Sequence, residues 1–319
     1  MSRKIVIVGG VAGGATAAAR LRRLDENARI VMFEKGEHIS FANCGLPYYI
    51  GGVIRSKDKL TLQTPESFSR RYNVDVRVKS EVIRINRQDK TVTVKDHHTG
   101  NTYEEAYDVL ILSPGAEPMV PNPDWARLDA VFTLRSIPDT FKITEYVQRI
   151  NPRRAVVVGA GYVGMEMAEN LHQLGLEVSI IEMADHVIPP LDAEMAAEVH
   201  HHILGKGISL YLGKGLTAIR QSAGGYELTL SDGENLTADM VILAAGVRPD
   251  SRLAVEAGLE TGLRGCIVTN DRMQTSDPSI YAVGDAIEVK DFVTEKSIRA
   301  PCLTGQQAGA DRRRQYLRA

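Results

Sequence analysis

The apolar positions of this chain fall in short, unbroken runs followed by glycine turns and helix-forming stretches. Lys4–Val8 (KIVIV) is an uninterrupted β-branched run, and Gly14–Leu24 (GATAAARLRRL) is rich in strong helix formers. A second apolar run, RIVMFEKG from Arg29, reads as a strand ending at Glu34, so the first forty residues or so predict one βαβ unit with buried parallel strands. The same phrase returns between Ala155 and His186: strand, glycine turn, helix closed by Gly175, and a strand finishing at Glu182. An internal repeat of a mononucleotide-binding unit is therefore visible in the chain itself.

Period-two alternation takes over between these units. VDVRVKSEVIRINRQDKTVTVKD, with a turn at Arg87–Lys90, and YELTLSDGENLTADMVIL, with a turn at Ser231–Glu234, predict antiparallel ribbons. Each leads into a strand and glycine turn, at Val109–Pro118 and Met240–Asp250. The Pro-rich stretch Pro114–Pro123 and the segment Gly246–Pro249 read as crossings between domains, with Thr275–Ala286 as a closing strand and turn.

Composition narrows the classes. With 44% hydrophobic and 24% charged residues over 319 positions, the chain is an ordinary globular protein of one large α/β domain or two smaller ones. Lys+Arg 38 against Asp+Glu 40 leaves no broad basic field for a nucleic acid partner. Three widely spaced cysteines, Cys44, Cys266 and Cys302, make no disulfide framework and point to a reducing compartment. The start, Arg3 and Lys4 before an apolar run, has the outline of a secretory signal, but strand, glycine turn and Ala-rich helix explain the same residues. No apolar run of about 18 residues occurs elsewhere, so a cytoplasmic protein without a membrane segment is expected.

The chemistry begins at the glycine turns. Gly159-x-Gly161-x-x-Gly164 lies between a strand and a helix, and Glu182 follows 18 residues after Gly164. A helix start offers unpaired N–H groups to a pyrophosphate, and the carboxylate accepts ribose hydroxyls while repelling a 2′-phosphate. With no arginine in the following residues, NADH is favoured over NADPH. The earlier turn, Gly9-Gly10-Val11-Ala12-Gly13-Gly14, has Val11 at the middle glycine position, so close approach would rest on Gly9, Gly10, Gly13 and Gly14, with Glu34 as its carboxylate. Two such units predict two dinucleotides with electrons passing between them.

GGVAGGATAAARLRRLD, SFANCGLPYYIGG, LILSPGAEP, VVVGAGYVGMEMAENL and TSDPSIYAVGDA together resemble the FAD-dependent pyridine nucleotide–disulfide oxidoreductases, over nearly the whole chain. The branch they are most similar to is that of coenzyme A-disulfide reductases and NADH-dependent persulfide reductases. The resemblance implies an α/β fold of two nested Rossmann-like, glutathione-reductase-like domains: FAD on 1–117 and 247–319, NAD(P)H on 118–246. It places FAD on Gly9, Gly10, Gly13, Gly14, Glu34, Ser113, Gly115, Gly284 and Asp285. It places NADH, or NADPH, on Gly159, Gly161, Tyr162, Gly164, Glu166, Glu182 and Gly246, with Glu166 beside the flavin and Tyr162 over the nicotinamide pocket. On local pattern alone, Tyr162 and Glu166 are an ordinary helix start.

Cys44 lies in a loop where Gly45 and Pro47 mark the entry to a predicted helix whose dipole would stabilise a thiolate. Dithiol members of the superfamily carry a second cysteine a few residues upstream. Ile39 and Ser40 occupy that region here, so a single sulfur would cycle as a mixed disulfide, a persulfide or a sulfenic acid. Cys266, in the apparent strand CIVTN, reads as structural. Arg20 and Arg23 share a helix face and, with Thr16, Ser40 and Asn43, match the branch's coenzyme A-contacting positions; a solvated basic face explains the arginines equally well. Arg70 and Arg71 are weaker candidates. His200, His201 and His202 are adjacent, point to different helix sides and are not expected to hold a metal.

The implied activity passes hydride from NAD(P)H through FAD to Cys44, which reduces a coenzyme A disulfide, a persulfide or a similar small disulfide. Alternatives are an NADH oxidase or peroxidase working through a Cys44 sulfenic acid, and a non-catalytic flavin-binding remnant. The remnant reading comes from the tail. Family members continue into a C-terminal domain that forms their homodimer, whereas this sequence ends at Ala319, an end compatible with a monomer, and departs from the family pattern after Thr294. If Arg312, Arg313 and Arg314 are CGC CGC CGA followed by CAA TAT CTN, a one-base slide reads Ala-Ala-Asp-Asn-Ile, the family's helix. A frameshift that removes the interface domain is the expectation drawn from this.

Overall fold

The computed structural model describes residues 2–291 and 297–299. Cys302 and the Arg312–Arg314 run lie outside the described residues. Ten strands build two parallel sheets: β1 (Lys4–Val8), β2 (Arg29–Phe33), β3 (Asp75–Arg77), β4 (Val109–Leu112), β5 (Val131–Phe132), β6 (Arg154–Val158), β7 (Glu177–Glu182), β8 (Ser209–Leu212), β9 (Met240–Leu243) and β10 (Ile280–Ala282). The helices used below are α1 (Ala12–Leu24), α2 (Leu46–Ile50), α3 (Pro65–Tyr72), α4 (Ile137–Ile150) and α5 (Tyr162–Gln173).

The chain divides into two compact units, one of Met1–Phe41, Thr61–Glu117 and Arg248–Ala319, the other of Ala42–Leu60 and Pro118–Val247. In the first unit the parallel sheet has the order β10-β4-β1-β2-β3, and in the second β5-β9-β6-β7-β8, so the strands correspond one to one. Register repeats too. Ile5 pairs with Val109 and Val8 with Phe33 in the first unit, as Ala155 pairs with Met240 and Val158 with Ile181 in the second. Val6, Ile7, Val31 and Leu110 are fully buried in the core of the first unit; in the second, Val157, Ile180 and Ile242 lie in one apolar cluster and Val241 in another. Strands buried on both faces need no polar alternation, which is why these runs are continuous.

Two expectations need correction. Val74–Val78 does not open the first ribbon: β3 pairs in parallel with β2, Val31 opposite Asp75, and the ribbon is the separate antiparallel sheet Ser80–Asn86, Thr91–Asp96 and Thr102–Ala106. Ala42–Leu60, expected within the first unit, groups with the second. The cause is packing. α2 lies on α4 and α5, and Ile50 joins the apolar cluster that contains Met167 and Leu171. Tyr49 meets Phe141 of α4 edge-on at 5.8 Å, and Lys57 sits 4.5 Å above the same ring. The second ribbon likewise has a third strand, Leu216–Ser222, ahead of Gly225–Leu230 and Asn235–Ala238.

Candidate functional site

Each parallel sheet feeds its first strand into a tight glycine turn, and the two turns share one geometry. Gly9 N–H donates to Phe33 O at 2.8 Å, and Ser113 N–H to Val8 O at 2.7 Å; Gly159 N–H donates to Ile181 O and Ala244 N–H to Val158 O, both at 2.7 Å. Gly9 has φ +95° and Gly159 φ +105°, a region that glycine alone enters without strain. A side chain at either position would also strike the strand-end backbone, coming within 2.8 Å of Ser113 C or 2.7 Å of Ala244 C.

The two turns differ at the helix start. Gly161 is the N-cap of α5, and a Cβ added there meets no protein atom within 4 Å. In the first unit Val11 takes that place, and the glycines around it are packed by the protein itself: Gly10 against Ile39 and Glu34, Gly13 against Ser113 and Val283, Gly14 against Gly9. A side chain at Gly9, Gly10, Gly13 or Gly14 would therefore meet protein atoms, so the fold itself requires glycine at each of them. Neither α1 nor α5 has a capping side chain, whereas α3 and α4 carry full capping boxes, Thr64 with Ser67 and Ser136 with Asp139. With no side chain capping them, the first-turn N–H groups of α1 and α5 are open to an external anion beside the glycine turns.

A carboxylate ties each turn to the loop beyond the second strand. Glu34 accepts from Gly10 N and Gly36 N, both at 2.8 Å; Glu182 accepts from Ala160 N at 2.7 Å and Ala184 N at 2.9 Å. Each carboxylate oxygen has two lone pairs and uses one, which leaves one for a ribose hydroxyl. The loops close alike: Ser40 N–H reaches Gly10 O and Ile188 N–H reaches Ala160 O, at 3.0 and 2.8 Å, and both residues have positive φ, 45° and 50°. For a β-branched isoleucine that backbone is unusual. The symmetry extends to Gly115 and Gly246, at φ +76° and +95° after β4 and β9. In the first unit β10 ends in the Gly284–Asp285 turn, where a Cβ on Gly284 would stand 3.6 Å from Ser113 Oγ. The donor set of each unit fits the pyrophosphate and ribose of an adenine dinucleotide.

Cys44 is exposed, in a short 3₁₀ turn (Asn43–Gly45) that runs directly into α2. α2 is only five residues long, so its dipole is small. Burial pushes the Tyr48 phenol above its ordinary value, reinforced by the negative charges of Glu166, Glu169 and Cys44. Glu166, on α5, is also raised above the usual carboxylate range, by burial first and by Glu169 second. Tyr162, one turn earlier, is 64% exposed and available to cover a ligand. Tyr48 stands in the SFANCGLPYYIGG stretch, but that it lies between Cys44 and Glu166 comes only from the docking of α2 on α5.

The substrate candidates divide. Thr16, Arg20 and Arg23 lie along α1 of the first unit, the first two half-buried and Arg23 exposed. Arg20 Nε is buried with no partner among the described residues, while Arg23 Nε turns back to Ala19 O at 3.2 Å. Arg22, between them, is structural: it donates to the carbonyls of Asp25, Glu26, Ala28, Tyr72 and Asn73. Asn43, in the second unit, is half-buried, and its Oδ1 has no partner among the described residues. Arg70 and Arg71 are exposed, the latter over the Tyr72 ring. His200 Nε2 accepts from Val187 N at 3.0 Å, and Cys266 is buried.

A family model described as pyridine nucleotide-disulphide oxidoreductase matches residues 3–307. Coenzyme A disulfide reductase of Staphylococcus epidermidis is 38% identical over 307 residues, 96% of this chain and 68% of its own length. Reduced Bacillus anthracis CoADR-RHD superimposes with TM-score 0.94 at 53% identity, over 97% of this chain. A NAD-dependent persulfide reductase from A. fulgidus gives TM-score 0.91 at 36% identity, over 96% of this chain. The chain spans only 56% and 58% of those two solved chains.

Proposed function

The chain belongs to the pyridine nucleotide-disulphide oxidoreductase family, and from that premise we propose that it moves a hydride from NADH to FAD and the electron pair onward to Cys44, which reduces a small disulfide or persulfide. Bound flavin would supply the two-electron relay. The first unit would hold it with the α1 N-terminus, Glu34 and the Gly284–Asp285 turn. The second would hold NADH with the α5 N-terminus, the open face at Gly161 and Glu182, whose charge disfavours a 2′-phosphate.

Cys44 carries the covalent step. Its thiolate attacks one sulfur of a disulfide RSSR, the S–S bond breaks, and RS⁻ leaves. The Cys44–S–S–R mixed disulfide then takes two electrons and one proton, giving back the Cys44 thiolate and a second RSH. The observation that carries the reading is an exposed thiol on a segment docked to a nucleotide-type helix.

The test is thiol release. With NADH, the FAD-loaded chain is expected to liberate thiol from coenzyme A disulfide and to lose this on Cys44→Ser. Turnover with hydrogen peroxide but not with the disulfide would replace the reading with a peroxidase.

A further inference from the structure

We propose that Asn170 is a positioning residue that fixes the Cys44 segment on helix α5; the functional consequence rests on Cys44 being the redox thiol. Asn170 is fully buried, on a face of α5 otherwise made of Gly164, Met167, Ala168 and Leu171. Its Nδ2 donates to Glu166 O at 2.8 Å, while Oδ1 is buried with no hydrogen-bond partner among the described residues. An orphaned buried carbonyl is unfavourable, and an aliphatic side chain of similar volume would avoid it.

The oxygen faces Gly51, the residue that ends α2. A Cβ on Gly51 would stand 2.7 Å from Asn170 Cγ and 2.8 Å from Asn170 Cβ, with Oδ1 closer still. Gly51 has φ −72° and ψ −2°, an ordinary helical backbone that any residue adopts. Its lack of a side chain is therefore required by the Asn170 amide and not by the chain's own conformation.

A five-residue helix does not hold its own pose; what it docks on does. Apolar packing in the cluster that holds Ile50, Met167 and Leu171 tolerates sliding, but an amide anchored at Nδ2 and pressed against the Gly51 backbone sets the register of α2 along α5. That register decides where Cys44 and Tyr48 lie relative to Glu166 and Glu169, the carboxylates whose charge reaches Tyr48.

The experiment uses the FAD-loaded full chain as wild type, Gly51→Ala, Asn170→Leu and the double variant Gly51→Ala/Asn170→Ala. Three quantities are read: melting temperature, the rate of Cys44 alkylation by iodoacetamide followed by peptide mass, and kcat and KM for NADH-driven disulfide reduction. Asn170→Leu is expected to melt no lower than wild type, yet to change the alkylation rate about fivefold and lower kcat about tenfold, with KM for NADH within about twofold. Gly51→Ala, whose methyl group strikes the amide, is expected to melt lower than wild type and to shift the alkylation rate and kcat as Asn170→Leu does, and the double variant, whose truncated side chain makes room for the new methyl group, to lie closer to wild type than Gly51→Ala. If Asn170→Leu leaves both alkylation and kcat at wild-type values, the amide only fills space and the proposal is wrong. If the wild-type chain shows no Cys44-dependent reduction, the proposed function fails, and the alkylation rates still decide whether Asn170 places the thiol.

Discussion

Alanine at Gly161 and alanine at Gly164 separate what the fold needs from glycine and what a ligand needs. A Cβ at Gly164 would stand 3.0 Å from the Gly159 carbonyl carbon, nearer to its oxygen, and 3.4 Å from Ala244 Cβ. Nothing there is a flexible side-chain end, so α5 must retreat from the turn, at an overpacking cost of about 1–3 kcal/mol. At about 2–4 °C per kcal/mol for a unit of this size, the melting temperature should fall by roughly 2–12 °C. Gly161 is different. Its φ of −74° and ψ of −176° suit alanine, and the added methyl group meets no protein atom within 4 Å. The weaker N-cap preference of alanine costs up to about 1 kcal/mol, and the lower entropy of its unfolded chain returns about 0.4–1 kcal/mol. Stability should stay within about 0.5 kcal/mol of wild type. A phosphate approaching the α5 N-terminus, however, meets the methyl group and loses a charge-assisted hydrogen bond of about 1.5–3 kcal/mol, which weakens NADH roughly 10- to 150-fold. Quenching of Trp125, the chain's one tryptophan and 6% exposed in an apolar cluster of the same unit, reports binding, and calorimetry reports the melt. NADH binding within about threefold of wild type in Gly161→Ala would refute the placement of the pyrophosphate at this turn.

Glu34→Gln sets an amide NH₂ against the N–H of Gly10 or Gly36, so flavin absorbance per chain should fall sharply after gel filtration while NADH quenching of Trp125 holds; equal retention of flavin would remove Glu34 from that site. Glu182→Ala combined with Met183→Arg, at a position 79% exposed, removes the charge that repels a 2′-phosphate and adds a fork that binds it. The NADPH-to-NADH ratio of kcat/KM should rise about 100-fold, and an unchanged ratio would place the ribose elsewhere. Burial and Glu169 raise Glu166 above its unfolded value, so the folded chain binds the extra proton. Its contribution is fully present below the unfolded carboxylate range and is lost as pH climbs through the raised folded value. Melting curves of Glu166→Gln should therefore gain on wild type as pH rises from about 4 to 8, and a constant difference would contradict the burial of that carboxyl.

Much of the architecture was readable because the informative features are local. Unbroken runs such as KIVIV and AVVV can only be buried strands, and a glycine turn ending in a helix, with an acidic residue at the next strand end, repeats because the two units meet the same geometric demand. The rest depends on contacts between residues far apart in sequence. Nothing in VDVRV says that its first residues leave the ribbon for a parallel edge, and nothing in LPYYI says that this helix docks on α4 and α5. The glycines of the first turn carry a second demand that their spacing does not show: at each of the four, a side chain would meet protein atoms. Asn170 did leave a trace, a lone polar residue on a small and apolar helix face, but its partner Gly51 could be found only in three dimensions.

The central claim is that one sulfur, Cys44, stores an electron pair beyond the flavin's own. An anaerobic titration counts those electrons: the FAD-loaded chain is first treated with coenzyme A disulfide, freed of excess, and titrated with NADH. The account predicts about two equivalents of NADH per flavin and about one thiol released for wild type, against about one equivalent and no thiol for Cys44→Ser. A single equivalent in both chains, or two in both, would contradict it.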